Sequence, residues 1–300
     1  MRWILTFVMF MFCFTSFSTE TNPDYSPNKK RLLAVSTTNA LAWSGSILAL
    51  QYVWYQQFEK SKFHFFNDGH EWNQMDKMGH MYTAWQINNL VYQSYRWCGL
   101  NQKKSALIGT GISLGYLTTF EILDAFNAKW GFSWWDMAFN SLGSITYGSQ
   151  AYLWGDQYVR FKFSYHNSQL SKYRPELLGK DFNSRLLKDY NGQTYWMSFN
   201  PFRWSKNESN VPEWINISLG YSINNQLRGD GGTYIINHSK HNLTFEPYRQ
   251  YYLSLDIDFE KIPTKSNFLK VLFKGINFIK VPFPAVEFSN NKLHFHPLYF

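Results

Sequence analysis

The side chains best suited to chemistry lie in the first half of the chain. Asp76 and His80 are four residues apart, and Lys77 and Met81 repeat that spacing, so on a helix each pair shares one side of adjacent turns. A carboxylate so placed can hold one imidazole nitrogen while the other serves as a base or a ligand. Glu121 and Asp124, three apart, can share a second helical face and supply an acidic partner. Asp136 and Asn140 add a carboxylate and an amide that can bind a polar headgroup or orient water. Asp76, Lys77, His80, Glu121, Asp124, Asp136 and Asn140 therefore make one candidate polar site. No serine is placed beside His80 as a nucleophile, and no close multihistidine spacing marks zinc. No cofactor is expected, with a divalent metal as the lesser alternative. The competing structural role is a buried polar network that fixes helix packing. Two of the acids also have local roles: Asp76 suits a helix start, and Asp136 stands three after Ser133, the spacing of a capping box.

Four helices would have to position these groups. Pro23 and Pro27 make residues 22–28 a linker, after which Leu32 to Phe58, Gln74 to Arg96, Lys103 to Phe126 and Ser133 to about Leu153 read as helices. The first is long enough to span a membrane, although Asn39, Ser44 and Ser46 suit a buried bundle helix equally. Gly109, Gly111 and Gly115 would weaken an exposed helix and so favour close helix contact in the third. Cys98 reads as a small buried hydrophobe.

The periodicity changes in the second half. Residues 169–190 suggest one short amphipathic helix, and Trp214 to Tyr221 alternate as a strand. Arg249 to Phe259 gives the clearest strand pattern, with Tyr251, Leu253, Leu255, Ile257 and Phe259 expected on the buried face and Tyr252, Ser254, Asp256 and Asp258 on the hydrated one. Ser266 to Ile279 reads as a basic amphipathic helix that docks onto the sheet, with resting on a membrane as the lesser alternative. A hairpin is expected around Asn290-Asn291, and the terminal Phe300 is assigned to core packing ahead of an outer-membrane role. The fold class is α+β: an N-terminal bundle of about four helices followed by a small antiparallel β-sheet with accessory helices. Residues 159–210 would connect and pack against both halves.

Three hundred residues with 27 Phe, 20 Tyr and 13 Trp argue against long disorder, and a mean hydropathy of −0.37 argues against a many-helix transporter. Met1-Arg2, the apolar run Ile4 to Phe14 and small residues to Ser18 read as a secretory signal peptide, whose cleavage would remove Cys13 and leave Cys98 as the remaining cysteine. The expected organisation is a signal at 1–18, a helical module at 19–158 and a basic aromatic extension at 159–300. Of these, 19–158 balance ten basic against ten acidic residues, while 159–300 carry 18 against 11. The basic residues are interspersed, with no finger or dense basic stripe, so no nucleic-acid partner is expected.

Asp76-Lys77-Met78-Gly79-His80, then Glu121-Ile122-Leu123-Asp124, then Gly131 to Gly143 with Asp136 and Asn140, resemble the YfiM-like family of predicted periplasmic lipoproteins and, more distantly, the helical VanZ-like group. The resemblance covers about residues 30–155. It implies an exported, periplasmic or outer-membrane-associated helical module without an assigned reaction, and it maps the seven candidate residues onto the family's polar positions. Phe10-Met11-Phe12 ahead of Cys13 departs from the family's lipobox. The function expected is an exported, membrane-associated structural or interaction protein, with the bacterial envelope membrane or an envelope protein as partner. The alternative is a polar-headgroup or envelope-lipid hydrolase with a His/acid site.

Overall fold

The computed structural model describes residues 26–53, 55–204, 211–237 and 242–300. The signal segment and Cys13 lie outside these residues. The chain divides into two compact units, one comprising the residues up to Gly69 with His80–Gln157, the other His70–Gly79 with Tyr158–Phe300.

The first unit is helical. Helix α1 (Lys29–Val53) starts where the Arg31 N–H donates to Asn28 Oδ1 at 3.1 Å. Among its described side chains only Ala42 is a buried hydrophobic, while Leu33, Leu41 and Leu48 are exposed. Helix α2 (Met75–Trp97) crosses the division between the units after Gly79. Helix α3 (Gln102–Asp124) is capped by Asn101, whose side chain accepts from the Lys104 N–H. Helix α4 (Trp134–Leu153) is capped by Ser133, which accepts from the Asp136 N–H as its spacing predicts. By length and composition alone, Lys29–Gln57 and α3 are apolar enough to cross a membrane, a property that buried core helices share.

Polar side chains stitch these helices together. Asn88 Nδ2 donates to the Ser144 carbonyl at 2.7 Å and to Thr110 Oγ1 at 3.1 Å, and Ser113 Oγ donates to the Ala84 carbonyl at 2.8 Å. Small residues permit that approach: a Cβ on Gly109 would strike the Asn88 amide, and one on Gly143 would strike the Met81 carbonyl. Cys98 is buried, and burial raises its thiol to about 11, as suits an inert packing residue.

The second unit is built on six antiparallel strands in the order β1 (Val159–Tyr165), β2 (Gln193–Phe199), β3 (Ile215–Asn224), β6 (Tyr248–Ile257), β7 (Phe283–Ser289) and β8 (Lys292–Tyr299). Strands β4 (Tyr234–Ile236) and β5 (Leu243–Phe245) form a separate pair. The free edge of β1 is met by the chain ahead of β7, where the Phe163 N–H donates to the Phe278 carbonyl and the Lys280 N–H to the Phe163 carbonyl, both at 3.0 Å. Asn290 and Asn291 both adopt positive φ, 47° and 59°, which makes the tight turn between β7 and β8. A helical cluster followed by an antiparallel sheet with further short helices is the α+β arrangement expected.

Several expectations are corrected. The single helix over 169–190 is two, α5 (Pro175–Leu178) and α6 (Phe182–Lys188), broken at Gly179 with φ of +102°. Residues 159–210 are more than a connection, because they supply β1 and β2. The polarity of β6 is reversed: Tyr252, Ser254 and Asp256 are buried, whereas Tyr251, Leu253 and Leu255 are exposed. The buried side chains bond to one another, Ser198 Oγ to Asp256 at 2.6 Å and Tyr252 OH to Glu287 at 3.2 Å, which makes a polar interior tolerable. Helix α7 (Asn267–Ile276) does not lay its whole apolar face on the sheet. Phe273 stacks on Phe259, while Phe268 and Leu272 stay exposed. Phe300 is exposed, and Tyr299 packs inward against Trp196 and Tyr252 in its place.

Candidate functional site

Helices α2, α3 and α4 bring four of the seven candidate residues together. His80, on the second turn of α2, has its Nδ1 3.1 Å from Asn140 Oδ1 on α4. Because an amide oxygen only accepts, this bond assigns the Nδ1 hydrogen to the imidazole as donor. On the other side of the ring, Nε2 lies 3.5 Å from Asp136 Oδ1, and Glu121 Oε1 of α3 is 3.9 Å from Nδ1. With Nδ1–H donated to Asn140, Nε2 is left facing the Asp136 carboxylate. The His80 side chain is 26% exposed and Glu121 only 2%, which makes the cluster a buried acid layer under a partly accessible ring.

Glu121 has its carboxyl raised to about 8. Burial is the largest cause, followed by the Asp136 charge; His80 opposes the rise, Asp124 adds to it, and the Ser133 backbone N–H opposes it again. The side chain also sits in the last turn of α3, where the negative helix end disfavours another anion. At neutral pH the group is predominantly a neutral acid. Asn140 is buried, and its Nδ2 has no hydrogen-bond partner among the described residues. A buried donor left this way is expensive unless something accepts from it.

The other candidates are placed differently. Asp124 accepts from Tyr55 OH at 2.7 Å, and Tyr55 is pushed upward first by its burial and then by that carboxylate. Asp76 stands one turn before His80 on α2, with its carboxylate held by Lys77 Nζ at 3.0 Å and by Tyr190 OH at 2.8 Å. Lys77 is fully buried. Within the helical unit, His80 and Asp136 offer an imidazole and a carboxylate, donors that suit a divalent cation, and a His80 Nδ1–H donated to an amide oxygen is the usual way to aim Nε2 at a metal.

Sequence reasoning missed two supports. Asp68, in the connection before α2, accepts from Ser133 Oγ, and Tyr55 holds Asp124. Neither has a spacing signal, because each partner lies more than 60 residues away in sequence. Ser133 is thereby committed to Asp68 and to the α4 cap, so its hydroxyl is spoken for as structure.

Residues 64–152, which include α2, α3 and all but the last residue of α4, match the family described as "Predicted periplasmic lipoprotein (DUF2279)". No curated protein and no solved structure matches the chain. The match covers every residue of the His80 cluster. It relates this region to periplasmic lipoproteins and agrees with an exported, envelope-associated chain located in the periplasm or at the outer membrane.

Proposed function

We propose that the protein is an exported interaction protein of the cell envelope, YfiM-like in its helical module, in which the His80 cluster receives a polar group from an envelope partner. The observation that carries this reading is the buried Asn140 Nδ2, which has no acceptor among the described residues and lies beside a partly exposed imidazole. The cluster then has two jobs. It fixes the crossing of α2, α3 and α4, and it keeps one donor for an oxygen of a lipid headgroup or envelope protein. Within this proposal the signal peptide at 1–18 is removed on export, and the helical module and the C-terminal extension divide at 158/159.

A second reading is favoured by the partial exposure of His80, flanked by acids on both sides of its ring. The same residues then hydrolyse an envelope lipid, with His80 as base toward water and neutral Glu121 as acid. Purified wild type, His80→Gln and Asn140→Leu, incubated with an envelope lipid extract, separate the two readings. The interaction reading expects a retained component seen by native mass spectrometry, lost in both folded variants, and no turnover by wild type. Turnover by wild type that His80→Gln abolishes establishes hydrolysis. Loss of thermal stability with neither retention nor turnover leaves the cluster as packing alone and rejects both.

A further inference from the structure

The six-stranded sheet is turned inside out relative to a water-soluble sheet. Its register aligns Met197, Leu219, Leu253, Val286 and Phe295 as one row across β2, β3, β6, β7 and β8. All five are exposed, from 36% at Met197 to 67% at Phe295, and no charged side chain interrupts the row. The opposite face is polar and closed. Lys162, Asp256 and Glu287 are buried there, with Lys162 Nζ 2.8 Å from Asp256 and Glu287 bound by Gln250 and His296. In water, an antiparallel sheet hydrates its polar face and covers its apolar one. Lipid hydrocarbon reverses that preference, as in membrane barrels with an apolar outside and a polar interior.

Two further features identify acyl chains rather than another protein as the covering material. The neighbouring row, at the end of the sheet near the β7–β8 turn, is Tyr221, Tyr251, Phe288 and Leu293, with Tyr221 OH held by Arg249 Nε at 3.1 Å. Rings with a polar end suit the boundary between hydrocarbon and headgroups. At the other end of the strands, between β6 and β7, α7 exposes Phe268 and Leu272 beside Lys265 and Lys270, the composition of a helix that lies in a membrane interface. We propose that the outer face of this sheet is bedded in the acyl-chain layer of a phospholipid bilayer, with the Tyr221–Tyr251 row and α7 at its two margins.

The test is nitroxide labelling of the full chain carrying Cys13→Ala and Cys98→Ala, reconstituted into vesicles of phosphatidylethanolamine with phosphatidylglycerol. Leu253→Cys and Phe295→Cys, both exposed and on different strands, report the face independently, and Lys270→Cys reports the α7 margin. The proposal expects labels at 253 and 295 to collide several-fold more often with dissolved oxygen than with a water-soluble nickel chelate, and the label at 270 to show the reverse. Equal or chelate-dominated collision at both sheet positions would overturn it. So would exclusion of both reagents together with spin–spin broadening between copies, which identifies a second copy of the chain as the cover.

Discussion

Inside the sheet, Arg160 meets Asp258 at 2.8 Å and Glu260 at 3.0 Å, Lys162 meets Asp256 at 2.8 Å, and Lys280 lies over the Trp196 ring; inside the helical unit, one imidazole serves both Glu121 and Asp136. Cations in the sheet are thus answered by carboxylates or aromatic faces. In the helices two acids share one partly exposed base, and the surplus is resolved by keeping Glu121 protonated. The difference teaches where to look for function. A balanced buried network holds its own shape, whereas an unbalanced one has a titratable state and an open donor that something else can complete.

The largest effect should come from unbalancing the sheet. Asp256→Ala leaves Lys162 buried without its carboxylate, and the loss expected is about 3–5 kcal/mol in denaturant unfolding of the detergent-solubilised protein. A loss below about 1 kcal/mol would mean that the sheet interior relaxes or admits water, and the contrast with the helices would fail.

The helical unit should respond more to shape. Gly143→Ala drives a methyl into the Met81 carbonyl, so α4 must move from α2, at about 1–3 kcal/mol. Thermal unfolding unchanged from wild type would show that this crossing is looser than drawn. Ser113→Ala removes one bond to the Ala84 carbonyl and the contact with Ser144 Oγ, for a smaller loss of about 1 kcal/mol, because that carbonyl is already part of a helix. If Ser113→Ala proves as damaging as Asp256→Ala, the two interiors do not differ in kind.

Much of the architecture was legible. The four helices stand within a few residues of where periodicity and caps put them, since Ser133, Asp136 and the flanking turn residues act locally. The Asn290-Asn291 turn was readable because Asn tolerates positive φ. The sheet polarity was not, because alternation defines two faces without saying which is buried, and the usual rule assumes water outside. Strand β1, Val-Arg-Phe-Lys-Phe-Ser-Tyr, held the missing signal: its inward positions are Arg160, Lys162 and Ser164, and the acids that answer the two cations lie about 95 residues further on. Site residues on three separate helices could be nominated from spacing, but the gathering of His80, Glu121, Asp136 and Asn140 apart from Asp124 depends on helix crossings that no local pattern encodes.

The most direct measurement is the pH dependence of unfolding free energy for wild type and Glu121→Gln in metal-free buffer. Folding raises the Glu121 carboxyl from an ordinary 4.5 to about 8, so the folded chain binds this proton more tightly than the unfolded chain does. Its stabilising contribution is complete below about 4.5 and is lost as pH climbs through about 8. The account predicts that wild type loses stability relative to Glu121→Gln across that interval, the two curves diverging as pH rises. Parallel curves, or a wild type that gains on the variant with rising pH, would contradict it.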